Sequence, residues 1–184
     1  MFKTMRMCGL ILVVGSFLIA ASLLKKGLFF EGNSLCYLMR EAGGVYLSAV
    51  LILALFMYTP TLFMTFKNPH NRRIYYLSVY VFFLMIFAAL TNRFNSTSLE
   101  WVHIGLSRTL FLTLIFWPIC TLVVNSRARS ALRVLCSVIL TLSGVSLVLS
   151  YRIFGILNIL MISEYILLVT FLIWYEVELR SINL

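Results

Sequence analysis

The chain has 184 residues, 62% of them hydrophobic and only 11% charged, with a mean hydropathy of +1.02. Soluble domains are about 45–50% apolar and about 25% charged, so an aqueous surface cannot be built from these residues. The net charge of +9 does not describe a nucleic-acid binder, because the 15 Lys and Arg stand between the apolar runs and hardly ever within them.

With lipid as the solvent the difficulty disappears, since outward-facing Leu, Ile and Phe are favourable there. The expected fold is therefore all-α: a polytopic transmembrane helical bundle of about six spans, one domain over residues 1–184.

The first apolar run, 7–24, follows Lys3 and Arg6 and ends at Lys25 and Lys26. Its basic start resembles a secretory leader. Leu18-Ile19-Ala20-Ala21, however, lacks small residues at both positions a cleavage site needs, so the run reads as a retained first helix. Residues 28–44 form a loop in which Ser34 can cap a short turn reaching Met39. The second span covers 45–66, and Pro60, which has no N–H, predicts a kink near its end.

A polar turn at 67–73 carries Lys67, Arg72 and Arg73. The third span, 74–91, opens with Tyr75-Tyr76, and 92–107 reads as a loop holding Arg93, Glu100 and His103. The fourth span, 108–124, contains Trp117-Pro118 and leads into a second basic turn with Arg127, Arg129 and Arg133.

Between Leu132 and Trp174 only Arg133, at the very start, Arg152 and Glu164 are charged. One helix over those residues would measure about 65 Å at 1.5 Å per residue, against a hydrocarbon core about 30 Å thick. Two spans, 132–150 and 154–175, joined near Tyr151-Arg152, fit better; the total is five if one run re-enters.

Orientation follows from the cations. Nine (Lys3, Arg6, Lys67, Arg72, Arg73, Arg127, Arg129, Arg133, Arg180) fall on the side of the termini and six (Lys25, Lys26, Arg40, Arg93, Arg108, Arg152) on the other. Basic loops stay cytoplasmic, so both termini are expected in the cytosol. Tyr46, Tyr75, Tyr76, Trp101, Tyr151, Trp174 and Tyr175 fall at the span edges, where amphipathic rings are favoured. The compact loops suggest the cytoplasmic (inner) membrane of a bacterium.

Glu164 is the most informative residue, an acid near the middle of the last expected span. A carboxylate at that depth needs a partner, a cavity or a proton. Asn158 and Tyr165 share its helix, and Trp117 beside Pro118 could line a kinked cavity; these four make the candidate intramembrane polar site. The plainer reading of Asn158 and of the Thr109–Thr113–Trp117–Cys120 stripe is helix packing. The same holds for Ser137, Thr141 and Gly144, for Ser143, Ser146 and Ser150, and for Ser16 with Ala20.

No catalytic, cofactor-binding or metal-ligating set is expected. Cys8, Cys36, Cys120 and Cys136 form no CxxC pair, and Ser107 after Gly105 lacks the second glycine of a nucleophile elbow and a membrane-embedded His as base. His103 could pair with Glu100 if its segment is helical. The expected function is a non-enzymatic accessory or interaction protein, of an immunity or assembly type, whose partners are the bilayer and another membrane protein or a second copy. A small transporter, or its substrate-binding membrane subunit, with a site at Glu164 is the alternative, and an intramembrane enzyme comes third.

Overall fold

The computed structural model describes residues 2–22, 38–39, 44–60, 72–91, 97–124, 130–152 and 160–181. Among them are six α-helices and no strand: α1 Phe2–Ser22, α2 Gly44–Phe56, α3 Arg72–Thr91, α4 Thr97–Val124, α5 Ala131–Arg152 and α6 Leu160–Ser181. Two stretches are long and apolar enough to cross a membrane. Lys3–Ser22 in α1 has a mean hydropathy of 1.9 over 20 residues, and Trp101–Val123 in α4 has 1.7 over 23. Only 28% and 17% of them is buried in the bundle, unlike the core helix of a soluble domain. The apolar stretches Gly44–Phe56, Tyr75–Ala88 and Ala131–Leu147 are shorter.

Several boundaries differ from the sequence expectation. The second span is interrupted after Phe56 by a turn at Met57-Tyr58, with Thr59 and Pro60 helical again, because Pro60 offers the Phe56 carbonyl no N–H and its ring would clash with it. That carbonyl instead accepts from Thr59 Oγ1 at 2.7 Å, and Tyr58 N bonds Leu55 O at 3.0 Å in a tightened last turn. Helix α4 begins at Thr97, so His103 lies within a helix and not in a loop. Trp101, Val102, Ile104 and Leu106 continue the apolar composition of the span and leave nothing there to stop it. Helix α5 runs through Arg152, past the expected turn, and α6 is described from Leu160, with Glu164 in the first turns of that described stretch. The 61–71 and 153–159 segments, with Lys67, Pro69 and Asn158, lie outside the described residues, as do Ser34, residues 125–129 and the Glu100 side chain.

Successive helices run antiparallel. Gly9 near the start of α1 meets Tyr58 and Ala54 at the end of α2, and His103 early in α4 meets Ala88 late in α3. Ser146 late in α5 meets Ser163 early in α6. The beginning of α1 and the end of α6 consequently share one end of the bundle, where Arg6 touches Glu176.

Helix α6 is the centre. It buries Glu164, Tyr165, Leu167, Phe171, Trp174, Tyr175 and Leu179, and Ile166 is its only exposed large apolar side chain among the described residues. The surrounding helices turn carbon outward. Met7, Ile11, Val14 and Leu18 make an exposed stripe on α1, and Leu135, Val138, Leu142, Val145 and Leu149 make another on α5, each at alternating steps of three and four. Inside, by contrast, lie Arg6, Ser16, Ser48, Ser78, His103, Arg133 and Glu176. Tyr46, Tyr76 and Trp101 are exposed near the starts of α2, α3 and α4. Trp174 and Tyr175, expected at the boundary, are buried, packed about Phe171 with ring centres 5.5 and 6.4 Å away, because their helix lies at the centre of the bundle.

Candidate functional site

Two groups of polar side chains lie along α6, one at each end. At the end shared with the chain's beginning, Arg6 Nε donates to Glu176 Oε1 at 2.7 Å, and Arg6 is 3% exposed. Two residues further on, Arg133 Nη2 donates to Glu178 Oε2 at 3.1 Å while Nε stands 2.7 Å from Oε1. Arg133 is held for this by the start of α5, where Ser130 Oγ caps the helix by accepting from Arg133 N at 3.3 Å. Burial pushes the Glu178 carboxyl above the usual carboxylate range, and Arg133 pulls it down without prevailing. Ser78 Oγ donates to Tyr175 OH at 2.6 Å beside these pairs. Within the described residues, Tyr58 OH, Trp174 Nε1 and Glu176 Oε2 are buried here without a hydrogen-bond partner.

At the other end a cavity of about 90 Å³ lies between five helices. Its walls are almost entirely carbon, from Val13 of α1, Leu51 and Leu55 of α2, Met85 of α3, Leu110 of α4 and Leu168 of α6. Three polar residues border it: His103 and Ser107 from α4 and Glu164 from α6. His103 is 5% exposed and Glu164 1%. His103 Nδ1 lies 2.9 Å from the Ala88 carbonyl. A carbonyl only accepts, so Nδ1 carries the proton, and in a neutral ring Nε2 is the acceptor. Ser107 Oγ stands 3.4 Å from Nε2, one helical turn away, a contact longer than a well-formed hydrogen bond.

Of the three singled-out residues that the structure describes, Glu164 alone borders this cavity. Tyr165 faces the other way, its OH 3.1 Å from Ser16 Oγ and its ring edge-on to Phe17 at 5.3 Å, and it ties α6 to α1. Adjacent residues on a helix point about 100° apart, which separates the two side chains. Trp117 packs half-buried against the main core and does not line the cavity. Its stripe-mates Thr109 and Thr113 bond back to the carbonyls of Gly105 and Thr109 at 2.9 and 2.8 Å. Asn158 lies outside the described residues.

Sequence reasoning missed His103 as an interior residue, along with Glu176 and Glu178. Treating 92–107 as a loop hid the histidine, yet His103 and Ser107 at a spacing of four inside an apolar stretch were a readable sign of a shared helical face. Among the described residues, no three His, Cys, Asp or Glu come together in a way that could hold a metal ion. Comparison with protein-family models, with curated proteins and with solved structures finds no match to this chain.

Proposed function

We propose that the chain is a multi-pass protein of the cytoplasmic membrane, crossing it six times with both ends in the cytosol. Its role in this reading is non-enzymatic, as an accessory or interaction protein of the immunity or assembly type. The observation that carries the reading is its inside-out polarity: α1 and α5 turn unbroken stripes of large apolar side chains outward, while arginines, glutamates and serines face in. Water would penalise such a surface and lipid favours it. The antiparallel order agrees with six crossings, since it brings Arg6 and Glu176 to one end.

The polar interior supports an interaction role because so much of it joins helix to helix. Arg6–Glu176, Arg133–Glu178, Ser78–Tyr175 and Ser16–Tyr165 tie α1, α3 and α5 to α6. What is left for recognition is the outer apolar faces, where packing against a second membrane protein or another copy is the available chemistry.

Single cysteines introduced at 67–71 and at 125–129 test the orientation. Impermeant thiol reagents should label them only from the cytosolic side, and labelling from outside would reverse it. Purification in mild detergent tests the role, with a stoichiometric membrane partner or a stable homo-oligomer expected. A solitary monomer with saturable substrate uptake in proteoliposomes would discard the accessory reading.

A second reading, a binding subunit or small transporter, is favoured by the cavity that Glu164 borders. On that reading Glu164→Gln impairs uptake or transport-dependent growth, and unchanged transport by the variant removes the residue from the site.

A further inference from the structure

Pro60 interrupts the second span where it reaches the clasped end, and the turn at Met57-Tyr58 carries the Tyr58 ring into the interior. The ring sits against Gly9 of α1, where an added Cβ would stand 2.8 Å away, and its centre lies 6.1 Å from those of Phe82 and Tyr175. Glu176 follows Tyr175 on α6, and its Oε1 accepts from Arg6 Nε, one turn from Gly9. Glu176 and Arg6 are close enough for their charges to act on the Tyr58 hydroxyl. Tyr58 is 0% exposed and Glu176 5%. Among the described residues neither Tyr58 OH nor Glu176 Oε2 has a hydrogen-bond partner, so the two do not bond each other. Trp174 Nε1 shares that condition but lies about 200° round α6 from Glu176.

We propose that Tyr58 OH and Glu176 Oε2 hold one internal water molecule, which joins the turn after α2 to the clasp between α1 and α6.

A phenol hydroxyl and a carboxylate oxygen taken out of water each carry a desolvation penalty until something bonds them. Charge decides what that is. Arg6 and Glu176 offset each other, so an ion of either sign would add an uncompensated buried charge. The occupant is neutral. Tyr58 has a proton to donate and an ionised carboxylate only accepts, so the occupant must accept from one and donate to the other. Water is the smallest molecule that does both, and polar groups too far apart to meet directly are where bridging water is found. Its second hydrogen can go to Tyr175 OH, which accepts from Ser78 Oγ at 2.6 Å and keeps a further lone pair. Partners of this kind and number, about three, are usual for a buried water.

The test is infrared spectroscopy of the full chain in hydrated bilayers, in ordinary water and in water labelled with heavy oxygen. The wild type should show an internal-water O–H band that shifts with the label. Tyr58→Phe, which keeps the ring and removes the donor, should lose that band, and Tyr165→Phe, toward the other end of α6, should keep it. Glu176→Gln should move it, because an amide oxygen is a weaker acceptor than a carboxylate. In SDS-induced unfolding, Tyr58→Phe should raise the unfolding equilibrium constant about tenfold, the loss of one hydrogen bond. In the background of Arg6→Met with Glu176→Leu, the same substitution should change nothing. Survival of every label-sensitive band in Tyr58→Phe would overturn the proposal. So would a wild type with no such band; destabilisation by Tyr58→Phe would then mean that Tyr58 donates to Glu176 directly. Unchanged stability in Tyr58→Phe also sinks it, since the hydroxyl would have had no partner to lose. If Tyr58→Phe does not fold, Glu176→Gln decides, and an unmoved band there removes the water from the clasp.

Discussion

The two ends of α6 carry the same kind of residue and use it differently. Glu176 and Glu178 each meet an arginine from another helix, and the resulting pairs clasp α1 and α5 to the centre. Glu164, twelve residues before Glu176, borders a carbon-walled cavity that His103 and Ser107 also border. The difference lies in the neighbours, because only the first end of the bundle gathers the arginines that open α1 and α5. The acids at one end are tied to arginines from other helices, and the acid at the other end stands beside an apolar space.

The largest break in that contrast should come from splitting a clasp. Removing one partner of a buried pair leaves an uncompensated charge and costs about 3–5 kcal/mol, whereas replacing both by apolar residues is often close to neutral. Arg6→Met and Glu176→Leu should each destabilise by that order, measured by SDS-induced unfolding in mixed micelles. The double variant should be more stable than either single one. Additive losses would mean that Arg6 and Glu176 stabilise the protein through separate contacts.

Packing between the helices gives the next effect. A Cβ at Gly144 would run into the Ile115 side chain, and one at Gly9 would stand 2.8 Å from the Tyr58 ring and 2.9 Å from the Ala54 carbonyl. Overpacking of this kind costs about 1–3 kcal/mol. Gly9→Ala should cost more than Gly144→Ala, because the α1–α2 contact includes backbone and Ile115 can move its chain end. Ile115→Ala should restore Gly144→Ala, and its failure to do so would locate the strain elsewhere. A smaller contrast separates two tyrosine–serine bonds. Ser78→Ala, which loses a 2.6 Å bond to Tyr175 at the clasped end, should cost about 0.5–1.5 kcal/mol. Ser16→Ala should cost less, since its 3.1 Å contact with Tyr165 is longer and Ser16 also bonds Val13 O.

Helix class and much of the helix count can be read from the sequence, because apolar run length and the spacing of cations are one-dimensional facts. Boundaries cannot be read where a linking segment is itself apolar. The start of α4 shows it: Trp101, Val102, Ile104 and Leu106 look no different from a span, and so the sequence reading of a loop there misses that they are helical. Pro60 is visible as a break, and the helix is interrupted just before it, at Met57-Tyr58. The site is legible only in part. Glu164 stands out as a charge in an apolar run, but its cavity is closed by side chains of α1, α2, α3 and α4, and nothing in local spacing reports which helices meet. The clasps are hidden for the same reason, since Arg6 and Glu176 are separated by most of the chain.

The least of the expected effects is a pH dependence confined to the clasped end. Glu178 lies past the expected span, which ends at 175, and its carboxyl is raised by burial more than Arg133 lowers it. A carboxyl whose folded pKa exceeds its unfolded value binds its proton more tightly when folded. Its contribution to stability is complete below the unfolded value and fades as pH rises through the folded one. Unfolding measured from acid toward neutral pH should therefore show stability falling across that window, and Glu178→Gln should flatten this part of the curve. The cavity end supplies the control, because Ser107→Ala leaves Glu178 untouched and should leave the slope unchanged. If Glu178→Gln steepened the profile, or if stability rose through the window because of this residue, Arg133 would be the stronger influence and the clasp would stabilise the ionised acid. Glu178 would then behave as a charge held by its partner, and burial would be the minor influence at that end of α6.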